Sequence, residues 1–301
     1  MRLRLHHTLA ILLLLCPLVS SAQADRGTWL RNIGKLPEAV EAFRQAYRDD
    51  PYMSINSYNL ARVYAQNRQA DSAFRYLYIA ANIYLNQDAL IDPELYPLHR
   101  DARWDRFEQQ LVAGLMKKNQ NLCKDCDYAR QLWHMHCSDQ AYYKDISIAT
   151  EDRNDSLVKA LWELKRPVNT ANQQELEILI AEKGWPKISE VGEAAAEAAF
   201  LVIQHSDNAR QKKYLPLIRE RCVSKEASWE SYALMYDRIQ ISEGKPQRYG
   251  SQVRLNKKTW KYELYPLEDE QQVDQWRAEA GMESLSTYLE PWHIKFSPII
   301  K

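Results

Sequence analysis

The sequence predicts a mainly α-helical protein, in which a short pair of helical hairpins precedes a second helical domain that contains a small β-hairpin. Three observations support this fold class. Glycine is scarce, at 8 of 301 residues, whereas tyrosine is frequent, at 18, which suits helices with aromatic faces better than a turn-rich β protein. Apolar residues recur three and four positions apart through most of the chain, which is the spacing of one helix face. Three positions also repeat after 34 residues.

The first 24 residues have the pattern of a signal peptide. Arg2 and Arg4 give a positive start, an apolar stretch begins at residues 9–15, and Ala22-Gln23-Ala24 supplies small residues at a cleavage site. The apolar stretch is shorter than the roughly 20 residues that span a bilayer. We therefore predict cleavage near Asp25 and export to the periplasm or the extracellular space, with a retained anchor as the alternative.

The charge of the chain is balanced, and this limits its expected partners. Lys and Arg number 40, as do Asp and Glu, so the formal net charge is zero. Proteins that bind nucleic acid or anionic membranes usually carry a basic surplus, so we expect neither as a partner. Beyond the signal peptide no segment is apolar enough to span a membrane. With 46% hydrophobic and 27% charged residues, the composition is that of an ordinary globular protein.

An internal repeat follows the signal peptide, in residues 25–116. Ala39, Phe43 and Ala46 recur 34 positions later as Ala73, Leu77 and Ala80. Small residues allow helices to approach closely, and a 34-residue period resembles that of tetratricopeptide repeats. A helix at residues 100–111 is expected to cap the pair, since two repeats are too few to bury a continuous core. The resemblance implies a protein or peptide partner for this region.

Residues 117–138 are polar at their start, and we predict a linker there. Four cysteines remain after cleavage of the signal peptide: Cys123, Cys126, Cys137 and Cys222. In an oxidising compartment they favour disulfides, with three full pairings open. With His134 and His136 nearby, zinc is the alternative, although the spacing matches no standard zinc module. We expect no bound metal and no cofactor.

The second domain is expected over residues 139–290, with a C-terminal tail at 291–301. Caps, stops and apolar spacing predict helices at residues 155–165, 170–183 and 190–205, one that starts at Ser206 or Asp207, one from Ser228 to Gly244, and one at 271–280. Alternation of apolar residues predicts the β-hairpin within residues 247–266.

Several motifs of this domain resemble a known bacterial family. They are Gly184-Trp185-Pro186, Gln204-His205-Ser206-Asp207, Asp237-Arg238 and the loop from Gly244 to Gln252. In order and spacing they are similar to the family called domain of unknown function 6624, over residues 139–289. Ser251 stands where the family usually has threonine, which keeps a hydroxyl group. The resemblance implies a fold and a set of polar motifs, but no established activity.

The candidate site centres on His205 and Asp237. Each lies three and four positions from apolar residues of its own helix, and a polar group on a buried face needs partners. One interpretation is catalytic: Asp237 orients His205 as a general base, and Arg238 or Lys245 holds an anion. Further candidate ligand-binding residues are Gln204, Lys245, Gln247, Tyr249 and Gln252. The other interpretation is a structural hydrogen-bond network.

Two functions follow from these observations. The first is a binding or scaffold protein of the cell envelope that uses its repeat region for protein contacts. The alternative is an enzyme, most plausibly a hydrolase, centred on His205 and Asp237. The enzyme requires these side chains to converge with Arg238 and Gln247 in an open pocket. Binding requires an accessible groove on the repeat pair.

Overall fold

The computed structural model describes residues 22–118 and 122–297. Most of the predicted signal peptide therefore lies outside the described residues. The described chain is mainly helical with one two-stranded antiparallel hairpin, which confirms the predicted fold class. Within it, no helix combines the length and the apolar character that crossing a membrane requires.

The chain divides into two compact units. The first comprises the described part of Met1–Cys123 and Trp133–Val168, and the second comprises Lys124–Leu132 and the chain from Asn169 onward. The helices Cys126–Gln140 and Asp155–Lys183 each contribute residues to both units. Residues 133–138, which we expected in a linker, and residues 139–168, which we expected in the second domain, cluster with the first unit.

The first unit is built from short helices in sequence order. They are α1 at residues 22–32, α2 Leu36–Asp49, α3 Ser54–Gln66, α4 Ala70–Ile83, α5 Asp88–Ile91, a 3-10 helix Pro93–Arg100 and α6 Arg103–Lys118, followed by the second part of α7 Cys126–Gln140, α8 Tyr143–Glu151 and the first part of α9 Asp155–Lys183.

The repeated positions form the centre of this unit. All six residues that recur after 34 positions are buried, as close helix packing requires. Gly27 of α1 lies against the Phe43 ring, and a Cβ atom at Gly27 would be 2.7 Å from that ring. The predicted capping helix is present as α6, whose Trp104, Phe107 and Leu111 are buried.

The second unit continues with helices and ends in small elements. They are α10 Ile188–Val191, α11 Glu193–Gln204, α12 Asn208–Val223, α13 Trp229–Ser242, β1 Val253–Asn256, β2 Lys261–Leu264, α14 Val273–Glu279, α15 Leu285–Leu289 and a 3-10 helix Glu290–Trp292. In the hairpin, Val253 pairs with Leu264 and Asn256 with Lys261. Ser228 caps α13 by accepting hydrogen bonds from the amides of Glu230 and Ser231, as we predicted.

Three predicted element boundaries were wrong. Residues 117–138 are not a linker, because α7 begins at Cys126. A single helix, α9, replaces the two expected on either side of residue 167, and Pro167 lies inside it. The helix expected at residues 190–205 is divided at Gly192, whose φ of 84° leaves the helical region. The first two differences place more of the chain in continuous helices than the local signals indicated, whereas the third divides an expected helix.

Candidate functional site

Asp237 projects from α13 into a fully buried position. Its carboxylate accepts hydrogen bonds from the backbone amides of Arg248 (2.8 Å), Tyr249 (3.1 Å) and Ser251 (3.0 Å). The Ser251 hydroxyl donates to the same carboxylate at 2.9 Å. Burial raises the pKa of Asp237 above its ordinary value, while these four donors oppose that shift. Asp237 is thus the anchor of the loop at residues 248–251.

Gln247 closes the same loop from its other side. It is fully buried, and its side-chain amide donates to the carbonyl oxygens of Gln252 and Tyr265, at 3.0 Å each. Its side-chain oxygen accepts from the Gln252 amide at 2.8 Å. Gly250 permits the tight course of the chain, with a φ of 67°, and a Cβ atom there would lie 2.7 Å from Leu285.

Arg277 and Tyr288 complete this arrangement, and sequence reasoning did not single them out as site residues. Arg277 is buried and donates to the carbonyl oxygens of Glu283 (2.7 Å) and Tyr249 (2.6 Å). The Tyr288 hydroxyl donates to the Ser251 carbonyl at 2.9 Å. The signal was present, because Arg277 follows the buried Val273 by four positions, which is the spacing of one helix face.

The His205 region has a different role, at the end of α11. His205 is the residue that follows the helix, where carbonyl groups lack partners within the helix. The carbonyl of Gln204 accepts hydrogen bonds from Arg238 (3.1 Å) and Gln211 (2.9 Å). The carbonyl of His205 accepts from Gln173 at 3.3 Å. These side chains stabilise the carboxyl end of α11.

The catalytic interpretation expected Asp237 to orient His205. The hydrogen bonds described for the Asp237 carboxylate come from the loop at residues 248–251, so Asp237 orients that loop rather than His205. Lys245 is exposed and pairs with Glu243 at 2.8 Å. Gln252 donates to the Ser251 hydroxyl at 3.0 Å, and the Tyr249 ring meets Tyr236 edge to face. The hydrogen bonds described for this cluster link its members to one another and to the backbone of the loop.

The cysteines separate into a bonded pair and two free thiols. Cys123 and Cys126 are disulfide-bonded, whereas Cys137 and Cys222 are free and buried. Burial raises the pKa of Cys222 to about 11 and that of Cys137 well above its ordinary value, so both stay thiols near neutral pH. In the described part of the chain, no group of His, Cys, Asp and Glu side chains could hold a metal ion.

A small and a large cavity lie in the first unit. The small one has a volume of about 260 Å³ and lies against α3, α4 and α6. The large one, of about 1070 Å³, is lined from α1, α3, the 3-10 helix Pro93–Arg100 and α8. Residues of α3 line both: Ser54 and Tyr58 the small cavity, Gln66 the large one, and Arg62 both. Both cavities thus border one face of α3 and share Arg62 and Asp92 in their linings, and we call the two together the groove.

An ion cluster lies where the two cavities meet. Arg62 pairs with Asp92 at 3.0 Å and with Glu94 at 2.5 Å. Glu94 also pairs with Arg31 at 3.3 Å and with Lys144 at 2.9 Å. Burial alone would raise the pKa of Glu94, but its three cationic neighbours lower it below the ordinary value. The Tyr58 hydroxyl donates to Asp92 at 2.8 Å. Burial, together with the neighbouring Asp92 carboxylate, raises the pKa of Tyr58 above its ordinary value.

Comparison with known proteins identifies a family for the C-terminal part of the chain. Residues 126–294 match the family of unknown function DUF6624, more than half of the 301-residue chain. The match begins with α7, earlier than the expected residue 139, and includes Asp237 and the loop that it anchors. No curated protein and no solved structure matches the chain. The chain therefore belongs to the DUF6624 family.

Proposed function

We propose that this chain is an exported binding protein of the cell envelope, which holds a peptide segment of a partner protein in the groove of its first unit. One observation carries the proposal: a single face of α3 lines both cavities, and these meet at Arg62 and Asp92. Concave sites with apolar walls and a few convergent polar groups are the usual binding sites of proteins.

The dimensions of the groove suit an extended peptide. Helix α3 has 13 residues and is therefore about 20 Å long. An extended chain covers about 3.4 Å per residue, so the groove has room for roughly six residues. Charged side chains of both signs at its centre can form hydrogen bonds with the backbone or the polar side chains of a peptide. The small cavity offers an apolar surface.

The second unit gives the hydrolase alternative no support. Asp237 and Gln247 are buried, and their hydrogen bonds serve the loop at residues 248–251. Catalysis by His205 as a general base would need orientation by Asp237, and the Asp237 carboxylate accepts hydrogen bonds from the loop instead. We therefore propose a structural role for Asp237 and Gln247.

Export rests on the N-terminal pattern and is supported by the disulfide-bonded Cys123 and Cys126, since disulfides persist in oxidising compartments. Fractionation of producing cells and N-terminal sequencing test this part. We expect envelope or secreted material that begins near Asp25. Cytoplasmic protein that begins at Met1 would contradict it.

Peptide binding is tested with a random peptide library displayed on phage and panned against the protein that begins at Asp25. We expect an enriched consensus whose synthetic peptide binds about tenfold more weakly to Arg62→Gln, a difference of about 1.4 kcal/mol. Arg106→Gln is the matched control, because Arg106 is exposed on α6 and lines neither cavity. Thermal unfolding confirms that each variant is folded.

A second variant covers the case in which Arg62→Gln is unstable. Ala81 of α4 lines the small cavity, so Ala81→Phe should fill it and reduce binding while leaving the ion cluster intact. Failure of any consensus to emerge, or equal binding of the consensus peptide to the wild type, Arg62→Gln and Ala81→Phe, would overturn the proposal.

A further inference from the structure

The small cavity has an apolar interior. Its walls include Leu77, Ala80, Phe107 and Leu111, all of which are buried. Pockets for small molecules usually measure about 300–1,000 Å³, and this cavity, at about 260 Å³, is slightly smaller. Its size therefore suits one large side chain of a longer ligand better than a whole ligand.

Large apolar side chains are exposed at and beside its mouth. Ile55 and Tyr84 line the cavity and are 46% and 56% exposed. Tyr52 and Met53, which directly precede α3, are 85% and 48% exposed. Single exposed apolar residues are common in monomeric proteins, but a group of them bordered by polar residues marks an interaction site.

The charge that remains available at this cavity is negative. Three charged residues line it: Arg62, Asp88 and Asp92. Arg62 is already shared between Asp92 and Glu94. Asp88 is exposed and accepts a hydrogen bond from Asn86 at 2.9 Å, and it forms no ion pair with any residue that the structure describes. A basic group of a ligand would therefore find an unpaired carboxylate beside the apolar mouth.

From this combination we infer that the small cavity holds a large apolar side chain of the bound peptide, and that Asp88 pairs with a lysine or arginine next to it. The inference rests on the proposed peptide-binding function and adds a specificity to it. Apolar burial would supply most of the affinity, whereas the charge pair at the rim would discriminate between peptides.

The test uses pools of synthetic hexapeptides, acetylated and amidated so that their termini carry no charge. Each pool fixes leucine, phenylalanine or alanine at one position and lysine, alanine or glutamate at the next. Binding to the protein that begins at Asp25 is measured by competition against the labelled library consensus peptide or, should panning yield none, by direct calorimetric titration. We expect pools with an apolar residue followed by lysine to bind at least about tenfold more tightly than those with glutamate.

Two variants with matched controls separate the apolar and the charged contributions. Ala81→Phe should abolish the preference for leucine or phenylalanine over alanine, whereas Ala113→Phe, at an exposed position of α6, should leave it unchanged. Asp88→Asn should remove the preference for lysine over alanine and retain the apolar preference. Asp105→Asn is its control, since Asp88 and Asp105 are both exposed and each lies in the first turn of its helix.

The outcomes distinguish this inference from the function on which it rests. Peptides that bind the wild type without preferring lysine, or whose apolar preference survives Ala81→Phe, would overturn the inference while peptide binding stands. Absence of binding by every pool, together with a library that yields no consensus, would overturn both.

Discussion

The buried carboxylate of Asp237 shows how one residue can determine the course of a loop. Three backbone amides and one hydroxyl group donate to it, so residues 248–251 are bound to α13 through a single side chain. Hydrogen bonds to a charged acceptor are stronger than those between neutral groups. Removing the acceptor would leave several buried donors without a partner, which is costly.

We therefore predict that Asp237→Asn destabilises the protein by about 3 kcal/mol, because the amide nitrogen of asparagine would face backbone N–H groups. Urea unfolding followed by circular dichroism measures the change. Asp269→Asn is the control: Asp269 is exposed and accepts a hydrogen bond from the Gln271 amide, so little change is expected there. Similar unfolding midpoints for the two variants would show that the loop does not depend on Asp237.

Glu94 predicts a pH dependence of stability. Its pKa in the folded protein is lowered from 4.5 by Arg62, Arg31 and Lys144, against the effect of burial. A carboxyl group whose pKa is lower in the folded than in the unfolded protein stabilises the folded state at pH values above its unfolded-state pKa. This contribution is lost as the pH falls through the folded-state pKa. The contribution of Glu94 is thus complete near neutral pH and declines below about pH 4.5.

Accordingly, Glu94→Gln should lower the free energy of unfolding by about 3 kcal/mol at pH 7, and by progressively less below pH 4.5. Denaturant unfolding of both proteins at a series of pH values gives the difference directly. Glu263→Gln, which removes a half-exposed carboxylate paired with Arg254, should show a much smaller effect at every pH. A difference for Glu94→Gln that stays constant from pH 7 to pH 3 would be inconsistent with the ion cluster.

At the scale of elements, the start of α7 is held by several local contacts. The amides of Lys124 and Asp125 donate to the Glu190 carbonyl at 2.7 and 3.0 Å, and Asp125 caps the helix by accepting from the Tyr128 amide. Asp125 also pairs with Lys183 at 2.6 Å. The disulfide-bonded Cys123 and Cys126 enclose this turn, and a closed loop limits the freedom of the unfolded chain.

Replacing both Cys123 and Cys126 by serine should lower stability by about 2 kcal/mol, the value for so short a loop. The melting temperature of the wild type should fall on addition of a reductant, while that of the double variant should not respond. Cys137→Ser provides the comparison, because Cys137 is a free thiol and its removal should leave the effect of the reductant unchanged. Equal sensitivity of the wild type and the double variant would exclude a stabilising disulfide.

Elements with strong local signals were predictable from the sequence. Helix α13 follows a serine cap, and the hairpin follows an alternating pattern. The continuity of α9 was not predictable, because Pro167 disfavours a helix locally and tertiary packing, including that of the buried Lys165 and Leu176, can override such a preference. The burial of Asp237 was predictable from its spacing, whereas its partners were not. They lie 11 to 14 positions further along, in a loop without periodicity.

At the scale of the whole molecule, the repeat pair depends on residues that follow it at a distance in the chain. Residues 133–168 belong to the same compact unit. His136 contacts the Ile91 carbonyl at 3.0 Å, Cys137 the Leu90 carbonyl at 3.4 Å, and His134 the buried Glu108 at 2.9 Å. Lys144 reaches Glu94 of the ion cluster. Two repeats alone are too few to bury a continuous core, and this later segment supplies the missing surface.

These contacts predict how fragments of the chain behave. A fragment of residues 25–118 lacks Trp133, Cys137, Ile146 and Ala149, all of which are buried. It therefore loses the stabilisation from their burial, which is about 1.5–3 kcal/mol for each large apolar side chain. We expect this fragment to unfold at low urea concentration and without cooperativity, whereas residues 25–168 should unfold in one cooperative transition. Circular dichroism and amide hydrogen exchange measure both properties. If residues 25–118 unfold as cooperatively as the longer fragment, the repeat pair folds without the later segment. Helix α8, which lines the large cavity, would then be an addition to a complete domain rather than part of its core.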